Sequence, residues 1–160
     1  MLTMRETQMR TLEASLSAQF EGAMVTHLQT SHSDRLGGES IENLQGLVRR
    51  TLRQAQSCGI NDFSDCAIFM ELTMEFGEGF QLGCGWAERS LSAAARFSSN
   101  QRAEALLNAA AHYLDEMEAR QATQIAEEEA AAARKEAEET EQLTGVYAIT
   151  QEAAFNGEVS

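Results

Sequence analysis

Residues 62–87 read DFSDCAIFMELTMEFGEGFQLGCGWA, and the first half of that stretch decides the fold class. Phe63, Ala67, Met70, Leu72 and Phe76 line one broad helical face, and Phe69 and Met74 carry the apolar surface almost round the axis. A helix that is apolar on nearly all sides is a buried one. The spacing therefore predicts a central helix over 62–76, capped at its start by Asn61 or Asp62. Its polar exceptions, Glu71 and Glu75, lie one turn apart and should share an exposed edge.

The second half, FGEGFQLGCGWA (76–87), holds four of the eleven glycines and the single tryptophan. A phosphate loop of the Walker type needs Lys and Ser or Thr after its last glycine, whereas Gly85 is followed by Trp86, Ala87 and Glu88. A dinucleotide fingerprint needs a preceding strand, and the preceding pattern is helical. Glu78 would also repel a phosphate. A geometric reading fits better. Gly77 ends the helix, Gly79, Gly83 and Gly85 reverse the chain, and Phe80, Leu82 and Trp86 plug the end of a bundle.

Working outward, the same helical bias covers the chain. There is no proline among the 160 residues, and Ala, Glu, Leu, Gln and Met, which lose little side-chain freedom in a helix, are abundant. A first helix over about 4–30 places Met9, Leu12, Leu16, Phe20, Met24 and Leu28 on one face, widened by Val25. Ser31, Ser33, Asp34, Gly37 and Gly38 read as a polar connection. A second helix from Glu39 or Ser40 turns Ile41, Leu44, Leu47, Val48, Leu52 and Ala55 inward, and Gly59 with Ile60 fits a left-handed C-terminal cap. After the glycines, a short helix over 86–97 is interrupted by Ser98, Ser99 and Asn100. A last helix from about Gln101 carries Leu106, Leu107, Ala110, Tyr113, Leu114 and Met117 inward.

Beyond Ile125 the apolar face disappears into EEEAAAARKEAEETEQ, which is helical by propensity without a strip to bury. The expected organisation is an all-α bundle of about five helices over 1–120, an acidic helical extension over 121–142, and a C-terminal tail over 143–160. That tail regains Leu143, Val146, Tyr147, Ile149 and Phe155, and could dock on another protein, fold back, or stay loose.

The formal net charge is −13, and it is unevenly placed. Between Asp115 and Gln142, ten acidic residues face Arg120, Arg134 and Lys135, a net −7. Nucleic-acid binding rests on a basic footprint and is disfavoured; an acidic surface favours basic partners. No basic-then-apolar leader and no long apolar run is visible, which points to a cytoplasmic protein outside the membrane.

Motifs for chemistry are sparse. Helical carboxylate metal sites need Glu with His three residues later, and neither His27 nor His112 meets that rule. No HExxH or calcium-loop pattern occurs, so no metal or other cofactor is expected. Cys58, Cys66 and Cys84 lack close metal-type spacing and read as small buried hydrophobes, with Cys84 the most exposed. No set of catalytic residues assembles, and a non-enzymatic role is expected.

Five segments carry a resemblance: MLTMRETQM at the start, Phe20 with Val25-Thr26-His27-Leu28, SCGIND, Glu75-Phe76-Gly77, and Trp86-Ala87. Over roughly residues 1–117 the chain resembles a group of small bacterial proteins often encoded beside genes of contact-dependent toxin delivery, notably type VI secretion. It departs from their pattern in having glycine and cysteine where the loop before Trp86 usually carries proline, and in the acidic addition after Met117. The resemblance brings no catalytic motif. It implies a binding module whose protein partner is a secreted effector, making this a chaperone or adaptor. An immunity protein covering a basic toxin is the close variant, and an enzyme with a Cys- or Glu-based site near the glycine loop is the third reading. The partner surface should comprise side chains left over from packing: Phe80, Leu82 and Trp86 at the loop, and Val146, Tyr147, Ile149 and Phe155 in the tail.

Overall fold

The computed structural model describes residues 2–156, with side chains from Glu6 to Phe155. Residues 157–160 of the expected tail lie outside the described residues. The chain is all-α: seven helices and no strand among the described residues. In order they are α1 (Leu2–Ser31), α2 (Ser33–Leu36), α3 (Ile41–Ser57), α4 (Phe63–Phe76), α5 (Phe80–Gly83), α6 (Gly85–Ala93) and α7 (Ser99–Asn156). The chain divides into two compact units, residues 1–113 and 114–160.

The first unit is built around α4, as its apolar pattern requires. One face of α4 places Cys66, Phe69 and Leu72 in a core with Ala55, Ile60, Phe80, Trp86, Ala87, Ala103, Leu106 and Ala110. The other places Met70 among Met24, Val25, Leu28, Leu44 and Val48. Phe69 is fully buried; truncating such a ring to alanine costs about 3–5 kcal/mol.

Helix ends follow the local chemistry closely. Ser40 caps α3 by accepting the Asn43 N–H at 3.2 Å. At the other end Gly59 takes φ +76°, and Ile60 N–H reaches Ala55 O at 3.0 Å while Gly59 N–H reaches Gln56 O at 2.9 Å. With Ile60 buried, this is a complete Schellman closure. Ser98 and Gln101 form a reciprocal capping box at the start of α7.

The cap of α4 corrects the expectation for Asn61 or Asp62. Asp62 occupies the N-cap position, but its side chain makes no capping bond. Ser99 Oγ of α7 anchors the entry to the helix, accepting from Asn61 N–H at 3.0 Å and Asp62 N–H at 3.2 Å, the groups just before the first turn. The same hydroxyl donates to the buried Asp65 carboxylate at 2.6 Å. Arg102, one turn further along α7, donates to Cys58 O at 2.8 Å, to Phe97 O at 2.9 Å and to Ala95 O. One guanidinium thus satisfies carbonyls at the end of α3 and in the turn before α7, a use of the rigid fork that lysine cannot imitate.

Other expectations are revised by what covers each face. Met9, Leu12 and Leu16 are exposed rather than buried; packing on α1 begins at Phe20, which stacks on Phe63 with centroids 4.8 Å apart. Ile41 and Leu107 are also exposed. The expected polar connection after α1 contains the one-turn helix α2.

The second unit is helical from Leu114 to Asn156, as the continuation of α7. The part of the expected tail from Leu143 to Asn156 is helical.

Candidate functional site

The glycine stretch forms a turn and a short helix. Gly77 and Gly79 take φ +93° and +83°, conformations that L side chains rarely adopt. Gly83 and Gly85 do not; they lie in α5 and α6. Arg50 of α3 grips Glu78 with two hydrogen bonds of 2.9 and 3.0 Å, which holds the turn against the bundle. The hydrogen bonds from Arg50 hold the Glu78 carboxyl below its ordinary range against the opposing effect of burial.

Phe80 and Trp86 were expected both to plug the end of the bundle and to be left over for a partner; they do the first, and the second is corrected. Phe80 is 2% and Trp86 9% exposed. Trp86 stacks on Phe80 and Tyr113, both with centroids 5.9 Å away, and meets the edge of Phe76 at 4.9 Å. The glycines let α5 fold these rings inward, where they cement α4, α6 and the start of α7. Leu82 alone of the three points outward, at 81% exposed.

In the second unit, Leu143, Val146, Tyr147, Ile149 and Phe155 are 61–79% exposed. Leu143, Val146, Tyr147 and Thr150 follow the i, i+3, i+4, i+7 rule and form one stripe, with Ile149 and Phe155 flanking it. Met9, Leu12 and Leu16 of α1 add a second exposed apolar row, in the first unit. Periodicity alone assigned that row to the core.

Two of the three cysteines, Cys58 and Cys66, are poor nucleophiles. Burial, aided by Asp65 and Asp62, pushes the Cys66 thiol up to about 11, and burial also raises Cys58. Thiolate, the reactive form, is suppressed at both. Cys84 is half-buried.

Residue reasoning missed one constellation. His27 near the end of α1, His32 at the N-cap of α2, and Glu71 in α4 converge. His27 Nε2 lies 2.5 Å from Glu71 Oε1, and His32 Nε2 lies 3.0 Å from Glu71 Oε2. The carboxylate is thus bracketed, one oxygen to each imidazole. Burial raises the Glu71 carboxyl, but the two histidine contacts outweigh it and leave it below its ordinary value. Ser31 Oγ sits 3.3 Å from His27 Nδ1, fixing the ring from behind. His32 is held by its backbone: its N–H donates to Leu28 O, and its carbonyl accepts from Arg35 and Leu36. The adjacent Arg35 donates to Met74 O at 2.6 Å and pairs with Glu75 at 3.5 Å.

No family model, curated protein or solved structure matches the chain. Among the described residues, no helix is long and apolar enough to cross a membrane.

Proposed function

We propose that the chain is a non-enzymatic protein-binding module, acting as a chaperone or adaptor for a secreted bacterial effector. The observation that carries this reading is the exposed Leu143–Val146–Tyr147 stripe, which follows a stretch rich in Ala and Glu on the same helix. An amphipathic helix laid into an apolar groove is a recurrent recognition mode, read by anchors at this spacing. Burying three such side chains contributes about 1.5–3 kcal/mol each. Association costs about 4–15 kcal/mol in lost freedom, so the stripe alone supports weak binding. Glu136, Glu138, Glu139 and Glu141 immediately precede it, and a groove with a basic rim would supply the remainder and speed encounter.

The effector as partner rests on the resemblance of residues 1–117 to proteins encoded beside delivery systems. The test is a native pull-down from the protein's own cells, comparing wild type with Leu143→Gln/Val146→Gln/Tyr147→Gln at equal helicity by circular dichroism. A stoichiometric effector held through a salt wash and lost with the triple variant supports the reading. An identical or partnerless eluate from both overturns it. Deleting the gene then separates roles: an adaptor's loss stops delivery of the captured protein, whereas an immunity protein's loss poisons the cell.

A further inference from the structure

We infer that His27, His32 and Glu71 form a binding site for one Zn²⁺ ion. Three donors come from three separate helices or helix ends, and their ligand atoms all lie within 4.8 Å of one another. Zinc takes imidazole nitrogen and carboxylate oxygen at about 2.0–2.2 Å, and two histidines with one glutamate is among its three-ligand sets. Those bond lengths set the donor–donor edges of a tetrahedron at about 3.4 Å. The present edges of 2.5 and 3.0 Å to Glu71 are those of groups sharing a proton. To bind the ion the carboxylate moves outward and the remaining ligand atoms, within 4.8 Å of one another, adjust to that edge; the Glu71 side chain, 47% exposed, has room to do so.

The donor set also selects the ion. Mg²⁺ and Ca²⁺ require six or more oxygen ligands, and Mg²⁺ near-ideal octahedral geometry, which two imidazoles and one carboxylate do not provide. Metal-binding histidines characteristically have their second nitrogen held by a hydrogen-bonding group, and Ser31 Oγ stands at His27 Nδ1. The neighbouring charges leave the site intact, because Arg35 is engaged by Glu75 and Met74 O rather than by Glu71. With His27 and Glu71 both half-exposed, the fourth position opens to solvent and would hold water. Bound zinc would fasten the α1–α2 corner to the middle of α4. This site lies in the first unit and is independent of the Leu143 stripe.

The experiment is a titration of the purified, tag-free full chain with Zn²⁺ against a chromogenic chelator. One ion per chain is expected, with a dissociation constant of about 1 µM, well short of closed four-ligand structural sites. Glu71→Gln and His32→Gln should each weaken binding at least tenfold, and His112→Gln should leave it unchanged. Mg²⁺ at millimolar concentration should not compete. Cobalt substitution gives a readout that folding alone does not move: a four-coordinate visible absorption band in wild type, lost in Glu71→Gln. Should His32→Gln fail to fold, His27→Gln serves in its place. Absence of saturable binding below about 100 µM, or binding undiminished by Glu71→Gln, overturns the inference and leaves the cluster a proton-sharing clamp.

Discussion

Replacing Ser99 with alanine removes a single oxygen and should destabilise the first unit well beyond an ordinary surface change. That oxygen accepts the Asn61 and Asp62 N–H groups just before α4 and donates to the carboxylate of Asp65, a residue 2% exposed. Loss of a helix cap costs about 0.5–2 kcal/mol. A hydrogen bond to a charged group contributes about 1.5–3 kcal/mol. The two N–H groups are reachable by water, which returns part of the first amount, while the enclosed carboxylate has little such relief. The expected loss is therefore about 2–3 kcal/mol. For a unit of this size each kcal/mol shifts the melting temperature by about 3–6 °C, so a fall of about 10 °C is expected. Trp86, the single tryptophan and a core residue of this unit, provides the signal: its fluorescence follows unfolding without interference from the long C-terminal helix. A double-mutant cycle with Asp65→Asn should show coupling of about 1 kcal/mol or more. A melting shift under about 2 °C, or strict additivity in the cycle, would refute the claim that Ser99 of α7 anchors the start of α4.

Three further outcomes follow from the same geometry. Gly59→Ala should cost more stability than Gly79→Ala in parallel urea titrations, with about 1 kcal/mol for Gly79 and at least 2 for Gly59. Both have positive φ, but a Cβ at Gly79 meets open space, whereas at Gly59 it would lie 2.2 Å from the Arg102 guanidinium. Glu78 has a folded-state value depressed below its ordinary 4.5 by Arg50, so its stabilisation is present above that value and lost as pH falls through the depressed one. The stability gap between wild type and Glu78→Gln should accordingly be largest near neutral pH, close towards pH 3, and shrink in high salt; a gap independent of pH would contradict it. Cys66 should resist alkylation by iodoacetamide at pH 8 in the folded protein and react after denaturation, because burial holds its thiol up to about 11; rapid native-state labelling located at Cys66 would show the core to be open.

How much of this was legible before the structure depends on whether the information is local. Gly59-Ile60 encodes its cap completely, because a left-handed residue followed by a buried apolar one is a feature of adjacent positions. The central place of α4 was legible too, since a helix apolar on nearly all sides has one stable location. Periodicity failed where a neighbour had to be supplied. Met9, Leu12 and Leu16 continue the stripe of Phe20, Met24 and Leu28 without a break, yet only the latter part is covered by α3 and α4. Spacing states which side chains share a face and says nothing about what lies opposite. Phe80 and Trp86 were legible as plugs of the bundle end, but their loop-like glycine context also placed them on a partner surface, and there the loop turns inward.

The histidine cluster was hidden for a different reason, and this bears on how such sites are sought. Reading Glu with His three residues later presumes that two ligands share one helix face. Here the spacing is five, His27 to His32, which on a continuous helix would place the rings on divergent faces. They converge because α1 ends at Ser31 and His32 takes φ −123°, ψ 30° at the N-cap of α2. The helix break is thus what brings the second ring beside the first, 6.1 Å away centroid to centroid. The third member, Glu71, was visible as a polar interruption in the most apolar helix of the chain and was assigned to a solvated edge. That placement is correct, and the partner on the edge comes from residues 39 and 44 positions earlier. A carboxylate retained on a helix that is otherwise nearly all apolar, together with two histidines flanking a helix end, is therefore the signal in this chain that a residue-by-residue motif search passes over.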